Sequence, residues 1–169
     1  DQCNFALLTS VMQKESFLNY LGLTTLDSEL GYVPTPGFSA NIKARGWDNI
    51  RVSINNEGFR ENKSYITENL GMILAVGDSF TFGDQVPNSH TWPSCLQDRL
   101  KVRVNNAGVF GYGIGQSIQR AKIETNRDKY QGIILSILID HDLKRDQMSY
   151  RDGFPKPYFR KTLAGIERV

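Results

Sequence analysis

The stretch Met72-Ile73-Leu74-Ala75-Val76-Gly77-Asp78-Ser79 constrains the fold more than any other part of the chain. An unbroken apolar run without polar alternation describes a strand buried on both faces, and such strands belong to parallel sheets covered by helices. The glycine, carboxylate and hydroxyl that follow then emerge in a loop at the strand's carboxyl end, where open α/β sheets place their ligands. Ser79 is the first candidate for chemistry on that ground. A serine after an aspartate also commonly caps the turn or helix that follows, and pattern alone slightly favours that role.

The rhythm downstream repeats the unit. A helix is expected over residues 91–100, with Pro93 in its first turn, then a strand over residues 102–106. Its glycine-rich exit is Ala107-Gly108-Val109-Phe110-Gly111-Tyr112-Gly113. Ile118, Ala121 and Lys122 lie one turn apart and predict a second helix over Ile114–Arg127, while residues 132–139 read as a third strand, apolar almost throughout. Strands alternating with helices in this way predict an α/β fold, a three-layer α/β/α sandwich around a parallel flavodoxin-like sheet. In that topology the third strand is internal, yet residues 151–169 carry no strand of comparable strength. The sheet is therefore expected to be incomplete at the C-terminus, the chain being the first part of a larger α/β domain.

Ahead of this unit, Phe5, Leu8, Val11, Met12, Phe17, Leu18 and Leu21 recur at helical spacing, and Gly22 stands where a helix stops. An amphipathic helix is expected over residues 5–21, packed on the body of the protein or forming the tail of a membrane-proximal stalk. Residues 24–45 dissolve into turns around Pro34-Thr35-Pro36-Gly37, and Ile50, Val52 and Ile54 then alternate with Arg51 and Ser53 as a half-exposed strand. The expected division is an N-terminal helix and extended cap over residues 1–48 and the α/β domain over residues 49–169.

Composition removes several function classes. A formal charge of +2, with Lys and Arg dispersed along the chain, does not describe a nucleic-acid surface. Cys3 and Cys95 lie too far apart for a zinc site; they could pair in an oxidising compartment but read rather as two isolated buried thiols, and no metal or cofactor is expected. No apolar stretch is long enough to cross a bilayer. The chain opens on Asp1 rather than methionine, which leaves room for a signal or anchor upstream and so for an extracytoplasmic or membrane-tethered location.

Taken together, Gly77-Asp78-Ser79-Phe80-Thr81-Phe82-Gly83 and Asn106-Ala107-Gly108-Val109-Phe110-Gly111-Tyr112-Gly113 resemble the first two sequence blocks of the SGNH (GDSL) hydrolases. Asn56-Glu57-Gly58-Phe59-Arg60 resembles the lead-in of one subgroup, and Lys156-Pro157-Tyr158-Phe159 a later motif of the same subgroup. The resemblance covers about residues 50 to 160, and two motifs in order are more specific than either alone. It implies a serine esterase acting on a small-molecule or glycan ester, with lipids and O-acylated carbohydrates as the substrate range. Ser79 would be the nucleophile, its own N–H and that of Gly111 the oxyanion donors, and Asp78 a brace for the loop. Some relatives transfer acyl groups to sugars instead of water.

The chain departs from the family in two places. Where the family carries Gly-x-Asn-Asp this sequence reads Asp140-His141-Asp142-Leu143, so His141 or, with a one-residue shift, Asp140 replaces the asparagine. An imidazole N–H can still donate to an oxyanion; a carboxylate repels it. The family's base sits in a late Asp-x-x-His motif, whereas the only histidines here are His90 and His141. His141 is the better substitute, and the 169-residue chain is expected to be inactive or nearly so. Two rival classes stay open: a degenerate, non-catalytic glycan- or ligand-binding module of the same fold, and a flavodoxin-like FMN binder using Ser79, Thr81 and Gly83 as a phosphate loop.

Overall fold

The computed structural model describes residues 22–44, 47–62, 71–151 and 154–169; the helix expected over residues 5–21 lies outside them. The centre of the molecule is β5 (Met72–Val76), which pairs in parallel with β6 (Arg103–Asn106) on one side and β7 (Gly132–Leu135) on the other. Leu74 faces Asn105 across one ladder and Ile133 across the other. Leu74, Ala75 and Val76 are buried, as the apolar run requires.

Among the described residues, four helices accompany the sheet: α1 (Ser79–Phe82), α2 (Trp92–Leu100), α3 (Ile114–Arg127) and α4 (Ile139–Arg145). The start of α2 is local chemistry, since the Thr91 hydroxyl accepts from the Ser94 N–H at 3.2 Å and Pro93 occupies the first turn. Helix α3 packs on β5 and β7, and α2 on β6. The result is a mixed α/β structure built on a small parallel sheet, and among the described residues no helix is long and apolar enough to cross a membrane.

Two expectations are corrected. The third strand stops at Leu135 rather than running to residue 139, and Ile139 already belongs to α4. Two local forces decide this. Strand β7 has β5 as its one partner among the described residues, and the Asp142 carboxylate reaches back to the Leu138 N–H at 2.8 Å, which starts a helix there. Cys95, expected buried, is a free thiol on the exposed side of α2.

The segment before the sheet is more ordered than its turn-rich sequence suggests. It forms two antiparallel hairpins, β1 (Thr24–Asp27) with β2 (Gly31–Pro34) and β3 (Ser39–Ala44) with β4 (Trp47–Ser53). Leu23, Ile42, Ile50, Val52 and Ile54 form one core with Phe82 and Phe110, and Leu30 and Tyr32 another with Val109 and Tyr112. Both hairpins therefore roof the loops that leave the carboxyl ends of β5 and β6. Each fully buried aromatic or aliphatic side chain contributes about 1.5–3 kcal/mol to holding that roof down.

A buried guanidinium staples the roof to the sheet. Arg60, 2% exposed, donates to the carbonyls of Phe82 (3.0 Å), Gly83 and Val86 (2.6 Å) and to Asn88 Oδ1 (3.1 Å). Its guanidinium also lies 4.7 Å over the Phe82 ring, and its own N–H donates to Asn106 O at 3.0 Å. Burial pulls its pKa down to about 10, with Asp84 opposing, so it stays charged at neutral pH. Arg60→Met should cost more than about 3 kcal/mol in urea denaturation, because several buried acceptors lose a charged donor at once. Arg51→Met, on the exposed face of β4, should stay within about 0.5 kcal/mol.

Candidate functional site

The loop after β5 closes at once into α1, and Asp78, not Ser79, caps it. Asp78 Oδ1 accepts from the Phe80 N–H at 2.9 Å. With the cap filled, Ser79 is left half-buried, and its hydroxyl makes no hydrogen bond among the described residues. The capping role that pattern alone assigned to Ser79 thus belongs to its neighbour. Thr81, which a phosphate-binding loop would need to expose, is fully buried.

The loop after β6 lies directly against this turn. The Val109 N–H donates to Gly77 O at 3.0 Å, and a side chain at Gly108 would come within 2.6 Å of the Thr81 carbonyl carbon, so only glycine lets the two loops touch. Three residues after Gly108, Gly111 adopts a left-handed conformation (φ +67°) that few other residues tolerate. Neither its N–H nor that of Ser79 donates to an acceptor among the described residues. Both N–H groups lie in loops that leave neighbouring strand ends.

The third loop, after β7, is tied to the first. Arg145 Nη1 lies 2.7 Å from Asp78 Oδ2 and 2.7 Å from Asp142 Oδ1, and makes a long 3.5 Å contact with Tyr112 O. Burial pushes the Asp142 carboxyl above its ordinary range and the negative charge of Asp78 adds to the effect, while the Leu138 N–H and Arg145 oppose it. Both Asp142 oxygens are therefore committed, and Asp142 does not orient His141.

His141 stands in the first turn of α4, exposed, its ring without a hydrogen bond among the described residues. Asp140 is exposed beside it. His90 lies in a short 3-10 turn, its Nδ1 2.8 Å from the hydroxyl of Ser89. Neither imidazole is hydrogen-bonded to Ser79. Sequence reading missed Arg60 and Arg145; the available signal for Arg145 was its place three residues after Asp142 on a helix, where an ion pair forms. Among the described residues no cluster of His, Cys, Asp and Glu suits a metal ion.

No family model matches the sequence, and no curated protein matches it. Among solved structures the chain is similar to one titled as a mutant of the esterase AlinE4, at 26% identity over 47% of this chain and 46% of that one, with a TM-score of 0.40. The chain thus spans less than half the length of that protein.

Asp78→Ala should be less stable than Asp78→Asn in urea denaturation by about 1 kcal/mol, because asparagine keeps the cap that alanine removes. Tyr112, whose hydroxyl donates to Tyr32 O, is wholly buried, and burial raises its phenol pKa well above the ordinary 10.0. The stability tied to this neutral phenol is complete below the ordinary value and is lost as pH rises through the folded one. In a spectrophotometric titration of the seven tyrosines, at least one should resist ionisation until alkaline unfolding, and Tyr112→Phe should remove that lag.

Proposed function

We propose that the chain carries the nucleophile and oxyanion half of an SGNH-type serine ester hydrolase, in a three-layer α/β/α fold, acting on lipid or O-acylated carbohydrate esters. The observation that supports this best is the uncommitted Ser79 hydroxyl at the carboxyl end of the central strand, its capping duty taken over by Asp78. The site lies where the strand order reverses, with β6 on one side of β5 and β7 on the other, which is where open α/β sheets bind ligands. Ser79 Oγ attacks the ester carbonyl and gives its proton to a base. The N–H groups of Ser79 and Gly111 stabilise the oxyanion, with His141 as third donor. The alkoxide leaves with a proton, and water then hydrolyses the acyl-serine bond, restoring the serine.

The weak member is the base. Of the two histidines in the sequence, neither hydrogen-bonds Ser79, and an unactivated serine is a poor nucleophile. The same observation favours one rival, a crevice that binds glycan esters without cleaving them. Loss of one oxyanion donor alone costs about a hundred- to a thousand-fold in rate, so His141 in place of asparagine bears directly on turnover. Acyl transfer to a sugar would use the same first step, with a hydroxyl replacing water.

The 169-residue chain should hydrolyse p-nitrophenyl acetate at or near the background rate, unchanged by Ser79→Ala. Clear turnover that Ser79→Ala abolishes would make His141 or His90 the base, and His141→Ala and His90→Ala would say which. On the native gene product, a fluorophosphonate probe should label Ser79 and lose its target in Ser79→Ala. Absence of labelling there would favour the binding module.

A further inference from the structure

We infer that Arg145 is a positioning residue for the whole crevice, and that the Lys156-Pro157-Tyr158-Phe159 segment holds it in place. The inference rests on the reading of Ser79 as nucleophile, and adds a control element that the reading does not contain. Its basis is what Arg145 touches. Asp78 immediately precedes Ser79, Tyr112 immediately follows Gly111, and Asp142 immediately follows His141. One guanidinium nitrogen therefore reaches the sequence neighbour of every candidate, across loops that leave all three strands of the sheet. The Arg145 side chain is 14% exposed and its two carboxylate partners 2% and 3%, so these ion pairs are little screened by salt or water.

The position of Arg145 depends on the end of its helix. It is the last residue of α4, which is short, and the last turn of a helix frays unless its carbonyls are satisfied. The turn that follows supplies N–H groups of Asp146, Gln147 and Met148 to the carbonyls of Asp142, Lys144 and Arg145, and the C-terminal segment adds a second layer of donors. Lys156, itself buried, donates from Nζ to Arg145 O, and the Phe159 N–H donates to Asp146 O at 2.8 Å. The Phe159 ring rests on Gly115 in the first turn of α3, while the Asp146 carboxylate accepts from the Gly115 N–H at 2.9 and 3.1 Å. The strap thus grips the end of α4 and the start of α3 together. A chain of contacts runs from Lys156 through Arg145 to Asp78 and the turn that presents Ser79. This gives the Lys-Pro-Tyr-Phe motif a physical task.

A purely structural salt bridge would affect stability alone; a positioning residue affects how Ser79 is presented in molecules that stay folded. The test uses the native gene product, with Arg145→Lys, Arg145→Ala and Lys156→Met each shown to be folded by near-ultraviolet circular dichroism. The fluorophosphonate labelling rate of Ser79 should fall about tenfold to a hundredfold in Arg145→Lys, because the shorter lysine side chain ends one bond short of the point from which Nη1 reaches Asp78, Asp142 and Tyr112 together. It should fall further in Arg145→Ala and recover in part with low concentrations of free guanidinium. Lys156→Met should fall in the same direction. Hydrogen exchange over residues 78–83 and 109–113 should speed up in all three variants. Wild-type labelling rates in folded Arg145→Lys, with exchange unchanged, would overturn the inference. If the wild type takes no label at all, the Ser79 reading fails separately, and exchange alone decides: faster exchange in the variants supports Arg145 as the lock, and unchanged exchange rejects it.

Discussion

Everything in this molecule hangs on the double-sided pairing of β5. A strand too apolar to face water must have its backbone N–H and C=O groups satisfied by neighbours, and β6 and β7 supply them along both edges. Parallel pairing also aligns the three carboxyl ends, so the loops bearing Ser79, Gly111 and His141 leave the sheet on the same side. The site is a consequence of strand direction before it is a consequence of any side chain.

Given that geometry, the remaining problem is to keep short loops still. Hairpins β1–β2 and β3–β4 cover the loops with Tyr32, Ile42 and Val52, and the buried Arg60 and half-buried Arg145 tie the loops together. Arg60 satisfies carbonyls that the turn after α1 cannot pair for itself. Arg145 opposes the repulsion between two buried carboxylates that would otherwise separate the first and third loops. Charge is used here where apolar packing cannot reach, because loop backbone offers carbonyls and not methyl groups.

Much of the sheet was legible in the sequence because its signals are local. The apolar run of β5, the Thr91–Pro93 start of α2 and the spacing of Ile118, Ala121 and Lys122 in α3 are written within a few residues of the elements they specify. What escaped reading depends on distant partners. Residues 24–45 look like turns because their strands are short and their apolar residues find Phe82, Val109 and Phe110 only after folding. The apolar tail after Leu135 has the composition of a strand, but the Asp142 carboxylate reaching back to the Leu138 N–H makes it a helix start. At the site, the Gly-Asp-Ser and glycine-rich blocks announced the loops, but a choice between Asp78 and Ser79 as cap needs coordinates. Arg145 had one local signal, Asp142 three residues earlier, but its tie to Asp78 spans 67 residues, and Arg60 finds the Phe82 carbonyl 22 residues on.

The outer edge of β7 has a consequence for handling the protein. Ile133 and Ile134 are 50% and 37% exposed on adjacent positions, and residues 132–139 carry neither a lysine nor a proline. Natural edge strands are commonly protected against pairing with other chains by such residues. The edge of β7 carries neither device among the described residues, and a lysine in place of Ile133 would make it a poorer template for pairing with another chain.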